Sequence, residues 1–127
     1  MQRILLSVAM AALLCAPLIT AQELRTAGML NGRFWAAATH GEKTAYVAGF
    51  MDHYCDRPSK GLGHFEASKL TVGEFAKLLD GFYDDAANIR IPIPLAFDLV
   101  ADRASGEPAA EYQRRLEFVR RVVASRQ

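Results

Sequence analysis

Cysteine is nearly missing from this sequence: its 127 residues contain two, Cys15 and Cys55. Cys15 falls in an apolar N-terminal run, which leaves Cys55 without an intrachain mate. That excludes a small scaffold stapled by cystines, so the chain must fold on a core of its own. Cys55 is then buried and inert, free and reactive, or paired between chains; a buried thiol acting as a small hydrophobe is the plainest of the three. An excess of one charge is missing too. Lys and Arg number 15 against 14 Asp and Glu, so nothing global points to nucleic acid or another polyanion. Beyond the N-terminus, no apolar run reaches the roughly 18 residues that a transmembrane helix needs. A nucleophile elbow, a P-loop and a dinucleotide fingerprint are also absent.

What is present begins with a leader. Met1-Gln-Arg3 is a short basic start, Ile4 to Cys15 is apolar, and Pro17 breaks the run before Leu18-Ile-Thr-Ala21. This is the pattern of a secretory signal peptide over residues 1–21, with export to the periplasm or beyond as the expectation. Lipidation at Cys15 is the alternative, but Leu14 is large where a lipobox wants a small residue. Residues 22–127 are expected to form a single helical domain. It is formally neutral, since Arg3 is the leader's one charged residue.

Within that domain the periodicity predicts an all-α bundle of four to five helices, at about 30–38, 42–55, 72–83, 94–104 and 108–124. Gln22 to Met29 reads as a loose lead-in. Trp35, beside alanines, reads as core rather than as a ligand-stacking surface. Thr39 and Glu42 have the spacing of a capping box. Tyr46, Val47, Phe50, Met51 and Tyr54 then follow at helical spacing, so this helix is expected to be central. Ala45 and Gly49 form a small-residue strip beside them, where a close neighbour is expected. Thr71 and Glu74 make a second capping box, with Leu70 and Phe75 placed as a hydrophobic staple. Val72, Phe75, Ala76, Leu78, Leu79, Phe82 and Tyr83 share the apolar face behind it. Asn88 suits a left-handed turn. Pro92 and Pro94 impose an extended link before the next helix, with Pro94 as its first residue. The last helix carries Tyr112, Leu116, Val119 and Val123, with Phe118 and Val122 alongside.

Candidate chemistry is sparse. The stretch from Asp56 to Lys69 contains Pro58, Gly61 and Gly63 and no helical stripe, so it reads as a long loop. Arg57, Lys60, His64 and Glu66 on it are the expected partner-binding residues, because scaffolds present function on loops. His53, Cys55 and His64, with Asp52 and Glu66, have the chemistry of metal ligands, but their spacing matches no established motif. No catalytic residue and no cofactor is assigned. Asp98 and Asp102 share a helix face as an acidic edge. Arg114, Arg115, Arg120, Arg121 and, just beyond, Arg126 make the last helix basic, with Glu111 to Arg115 and Glu117 to Arg121 expected as i,i+4 pairs. That acidic edge and that basic face are the alternative recognition surfaces.

Tyr46-Val-Ala-Gly-Phe-Met-Asp52, Leu70-Thr-Val-Gly-Glu-Phe-Ala-Lys-Leu-Leu79 and Leu95-Ala-Phe-Asp-Leu-Val100 together resemble the small exported helical immunity proteins of the Rap/Tai group. The resemblance implies a helical fold and capture of another protein. The chain departs from the group at Lys43, near where a Cys stands, and at His64-Phe-Glu-Ala-Ser68, which has no Cys-x-Pro. The group's disulfide is therefore not expected. Phe82 to Asn88, followed by Ile91-Pro-Ile-Pro94, also resembles a pattern in uncharacterised bacterial secreted proteins. The expectation is an exported, non-enzymatic protein-interaction module with a partner in the cell envelope. One alternative is a small secreted hydrolase or metal-dependent enzyme using Asp and His residues. Another is a lipid-surface binder acting through the basic last helix.

Overall fold

Thr71 starts the helix on which the rest of the bundle packs. Its hydroxyl accepts from Glu74 N (3.2 Å), and Glu74 Oε2 accepts from Thr71 N (2.7 Å). Two of the orphan donors at this helix start are thereby satisfied. The Thr71 N–H and the Thr71 hydroxyl, both donating to Glu74 Oε2, hold that carboxyl below its usual range. Leu70 packs partly buried against the core, and Phe75 is fully buried, so the staple is in place.

In the computed structural model, residues 20–55 and 70–126 are described, without the side chains of Tyr54 and Cys55. The leader and the loop 56–69 lie outside the described residues. A two-stranded hairpin, β1 (Arg25–Thr26) and β2 (Met29–Leu30), comes first. Five helices follow: α1 (Gly32–Ala37), α2 (His40–Cys55), α3 (Val72–Tyr83), α4 (Ile93–Ala104) and α5 (Ala109–Ala124). A 3-10 turn, Ala86–Asn88, joins α3 to the link before α4. The protein is a small all-α bundle.

The lead-in is more ordered than its composition suggests. Arg25 pairs with Leu30 and Thr26 with Met29, antiparallel. Ala27 (φ 50°) and Gly28 (φ 79°) close the turn with both central residues left-handed, the geometry that matches strand twist. Leu30 is therefore a strand residue, and α1 begins at Gly32. Asn31 is its cap, accepting from Arg33 N at 2.9 Å.

The middle of the bundle is α3, not α2. Phe75, Ala76, Leu79, Phe82 and Tyr83 of α3 are buried, whereas Val47 is the one fully buried large side chain among the described residues of α2. Tyr46, Phe50 and Met51 pack partly buried against the core. Leu78, expected inward, is exposed. At Gly49 an added Cβ would meet nothing within 4 Å among the described residues, so the close neighbour expected there is not seen. The close approach occurs instead at Gly32, against Tyr83.

Phe97 of α4 stacks on Phe75 at 4.4 Å between ring centroids, and Phe50 of α2 meets it at 4.3 Å. This aromatic column joins three helices. Trp35 is core, as expected, and its Nε1–H donates to Asp80 Oδ1 at 2.8 Å. Lys43 Nζ reaches the same oxygen at 2.8 Å and lies 5.3 Å from the Trp35 ring centroid. Partial burial opposes charge on Asp80, but these two donors hold its carboxyl below the usual range. The linkage ties α1 and α2 to α3.

Asn88 is not left-handed. It closes the 3-10 turn, buried, and donates through Nδ2 to Phe82 O at 2.7 Å. Tyr83 O–H donates to Ile91 O at 2.9 Å, and burial pushes the Tyr83 hydroxyl far above its usual pKa, so it stays a donor. These bonds pin the link between α3 and α4. Pro92 caps α4, which starts one residue before Pro94.

The first capping box also forms, with Glu42 Oε2 accepting from Thr39 N at 2.7 Å. Only the second has a staple. Thr71→Ala is expected to lose about 1 kcal/mol, and more than Thr39→Ala loses. Urea unfolding of the two variants checks this ranking, and equal losses would show that the staple contributes nothing.

Candidate functional site

The α4–α5 face presents the largest exposed aromatic described in the protein. Phe118 is 60% exposed, and Leu95 across from it is 37% exposed. The reason is angular. On a helix of 3.6 residues per turn, Phe118 lies roughly 130° from the centre of the Tyr112, Leu116, Val119 and Val123 stripe. It cannot join that stripe, and the expectation that it packs alongside is corrected. Leu95, Asp98 and Asp102 in turn occupy the outer edge of α4, because Ile93, Ala96, Phe97, Val100 and Ala101 are turned into the core.

Between these edges runs a groove of about 390 Å³. Leu95, Leu99, Phe118 and Val119 give it apolar walls, while Asp98, Glu111, Arg114 and Arg115 supply both signs of charge. Asp98 of the acidic edge and Arg114 and Arg115 of the basic face, separate candidates in the sequence, thus line one concavity, whereas Asp102, Arg120, Arg121 and Arg126 do not line it. A wider recess of about 580 Å³ lies between α3, α4 and α5, around Leu78, Phe82, Val100 and Tyr112.

The arginines of α5 are largely committed to structure. Arg115 Nη1 donates to Asp102 Oδ2 (2.6 Å) and Glu107 Oε1 (2.7 Å), binding α5 to the end of α4 and the connecting turn. Burial works against the Arg115 charge, but the two carboxylates outweigh it and raise its pKa. Arg120 Nη2 donates to Asp85 Oδ2 at 2.6 Å and Arg120 Nε to Asn88 Oδ1 at 2.9 Å, binding α5 to the 3-10 turn. Glu111 pairs with Arg114, three residues on, rather than with Arg115, four residues on. The expected Glu111–Arg115 and Glu117–Arg121 pairs do not form, because Arg115 reaches across to α4 and no ion pair joins the second couple. Three of the four arginines of α5 are therefore neutralised locally, which leaves Arg121 and, just beyond the helix, Arg126 as the positive charge for a lipid surface.

The loop candidates Arg57, Lys60, His64 and Glu66 lie outside the described residues. Of the metal candidates, His64 and the side chain of Cys55 are also outside them, and His53 is exposed near the end of α2. Among the described residues, no group of three or more His, Cys, Asp or Glu side chains is close enough to hold a metal ion. No described helix is long and apolar enough to cross a membrane. Phe118 was within reach of the sequence, since its angular position alone separates it from the stripe.

No family model, curated protein or solved structure matches this chain.

Proposed function

We propose that the protein is an exported, non-enzymatic protein-interaction module whose binding face is the α4–α5 groove. The observation that carries this is Phe118, 60% exposed on a helix whose other large apolar side chains are turned inward. A large aromatic held in water beside a groove is a poor use of surface for folding and a good one for binding, where aromatics dominate contact energy. The fitting partner is another protein of the cell envelope. It would place an apolar side chain between Leu95 and Phe118 and paired polar groups against Asp98, Glu111 and Arg114. Capture of a second protein, in the manner of the exported helical immunity proteins, is the role that the Tyr46 to Val100 resemblance suggests.

Phe118→Asp is the direct test. Tethered wild-type protein is used to capture partners from an envelope fraction, and the affinity of the recovered partner is then measured. The variant is expected to weaken that binding by about 30-fold or more, the scale of a hot-spot aromatic. Its melting temperature should be unchanged, because Phe118 contributes little to the core. Leu78→Asp, at another exposed leucine, should bind as wild type does. Unchanged affinity in Phe118→Asp overturns the assignment of this face.

A further inference from the structure

A further concavity, of about 440 Å³, lies at the hairpin end of the bundle and is separate from the α4–α5 groove. Arg25, Arg33 and Arg90 line it, with one carboxylate, Glu23. The three arginines arrive from three separate segments: β1, the first turn of α1, and the link that precedes α4.

One buried residue holds these segments in register. Asn31, 2% exposed, donates through Nδ2 to Glu23 O (3.1 Å) and Thr26 Oγ1 (3.0 Å) and accepts at Oδ1 from Arg33 N (2.9 Å). Its backbone bridges Pro92, two residues beyond Arg90. The hairpin, the start of α1 and the Arg90 link are thus clamped at one point beneath the cavity. Such a frame fixes the backbone positions from which the guanidinium groups extend, so less ordering is left to a ligand.

The charges above this frame are not balanced. Arg33 lies 3.4 Å from Glu23, with both side chains over 40% exposed. Glu23 also accepts from Thr20 N at 3.1 Å. Arg25 Nη1 donates at 2.6 Å to a neutral acceptor, the Gly28 carbonyl. Arg90 is exposed and makes no described hydrogen bond or ion pair. On α5, by contrast, Arg114, Arg115 and Arg120 each find a carboxylate. Three guanidinium groups facing one carboxylate leave an excess that suits a dianion, and their planar forks match phosphate oxygens in pairs. The cavity is larger than a phosphate group, so the carrier of the phosphate fits as well. The expected cleavage after Ala21 would remove Thr20 and leave the α-ammonium of Gln22 in the wall, so the cavity stays cationic before and after export.

We propose that Arg25, Arg33 and Arg90 form a binding site for a phosphate monoester, borne by a small solute or by a lipid headgroup. Calorimetric titration of the purified protein at fixed ionic strength with inorganic phosphate, then with a sugar phosphate, tests the soluble source. Cosedimentation with phosphatidate vesicles, against phosphatidylcholine vesicles, tests the lipid source. Saturable binding in either arm is expected, and the arm that saturates identifies the source. Arg90→Ala should weaken it by about tenfold or more, the loss expected for one charge-assisted contact, without lowering the melting temperature. Arg121→Ala, which removes an equal charge elsewhere, should bind as wild type does. Three results would overturn the site: no saturable binding in either arm, Arg90→Ala binding unchanged, or equal weakening in Arg121→Ala.

Discussion

Phe97→Ala is expected to lower the unfolding free energy by about 3–5 kcal/mol, the range for deleting a buried phenyl ring. Phe97 is 1% exposed and lies between Phe75 of α3 and Phe50 of α2. Removing it takes a ring contact from both Phe75 and Phe50, and the surrounding helices are tied by separate polar bonds that resist collapse into the gap. A domain of this kind has a total stability of about 5–15 kcal/mol, so the variant can be partly unfolded in water. Phe97→Leu, which keeps most of the volume, should cost roughly 1.5 kcal/mol and remain folded. Phe118→Ala supplies the contrast, because the same residue type on the α5 surface should be close to neutral. Urea unfolding followed by circular dichroism reads all three. A Phe97→Ala loss no larger than that of Phe118→Ala would mean that the aromatic column is not the centre of the core.

Those two phenylalanines also mark what a linear reading can resolve. The helix 72–83 was legible to the residue, because Thr71, Glu74, Leu70 and Phe75 define its start by local chemistry alone. The helix after Pro92 was legible to within one residue for a similar reason. Phe118 was placed too near its stripe, although its angle around α5 was available. The hairpin was not legible, since strands of two residues have no periodicity to read and Ala27 is an unusual residue for a left-handed position. Nor was the choice of partner by the α5 arginines. Residues 111 and 115 sit one turn apart in sequence, but the fold brings Asp102 and Glu107 nearer to Arg115 than Glu111 is. The cationic cavity was equally hidden: Arg25, Arg33 and Arg90 share no motif and meet only because Asn31 joins the hairpin to the Pro92 link.

Gly32→Ala should be the most damaging single-methyl change in the described residues, at about 3 kcal/mol. A Cβ at position 32 would stand 2.4 Å from Tyr83 Cδ1, 2.6 Å from Tyr83 Cε1 and 2.8 Å from the Ile89 carbonyl oxygen. The ring cannot swing away cheaply. Its hydroxyl is bonded to Ile91 O at 2.9 Å, and Tyr83 is 7% exposed in the core. The Ile89 carbonyl belongs to the link pinned by Asn88 and Tyr83, so it too resists displacement. Relief would require α1 to move off α3, straining the Trp35–Asp80 bond. Gly49→Ala is the control, and it reverses the sequence reading that put the close approach on α2. Nothing described lies within 4 Å of its added Cβ, and alanine is the better helix former. That variant should therefore be neutral or gain up to about 1 kcal/mol. Thermal and urea unfolding of the pair decide between the two positions: a Gly49→Ala loss equal to or above that of Gly32→Ala would place the tight helix contact back on α2.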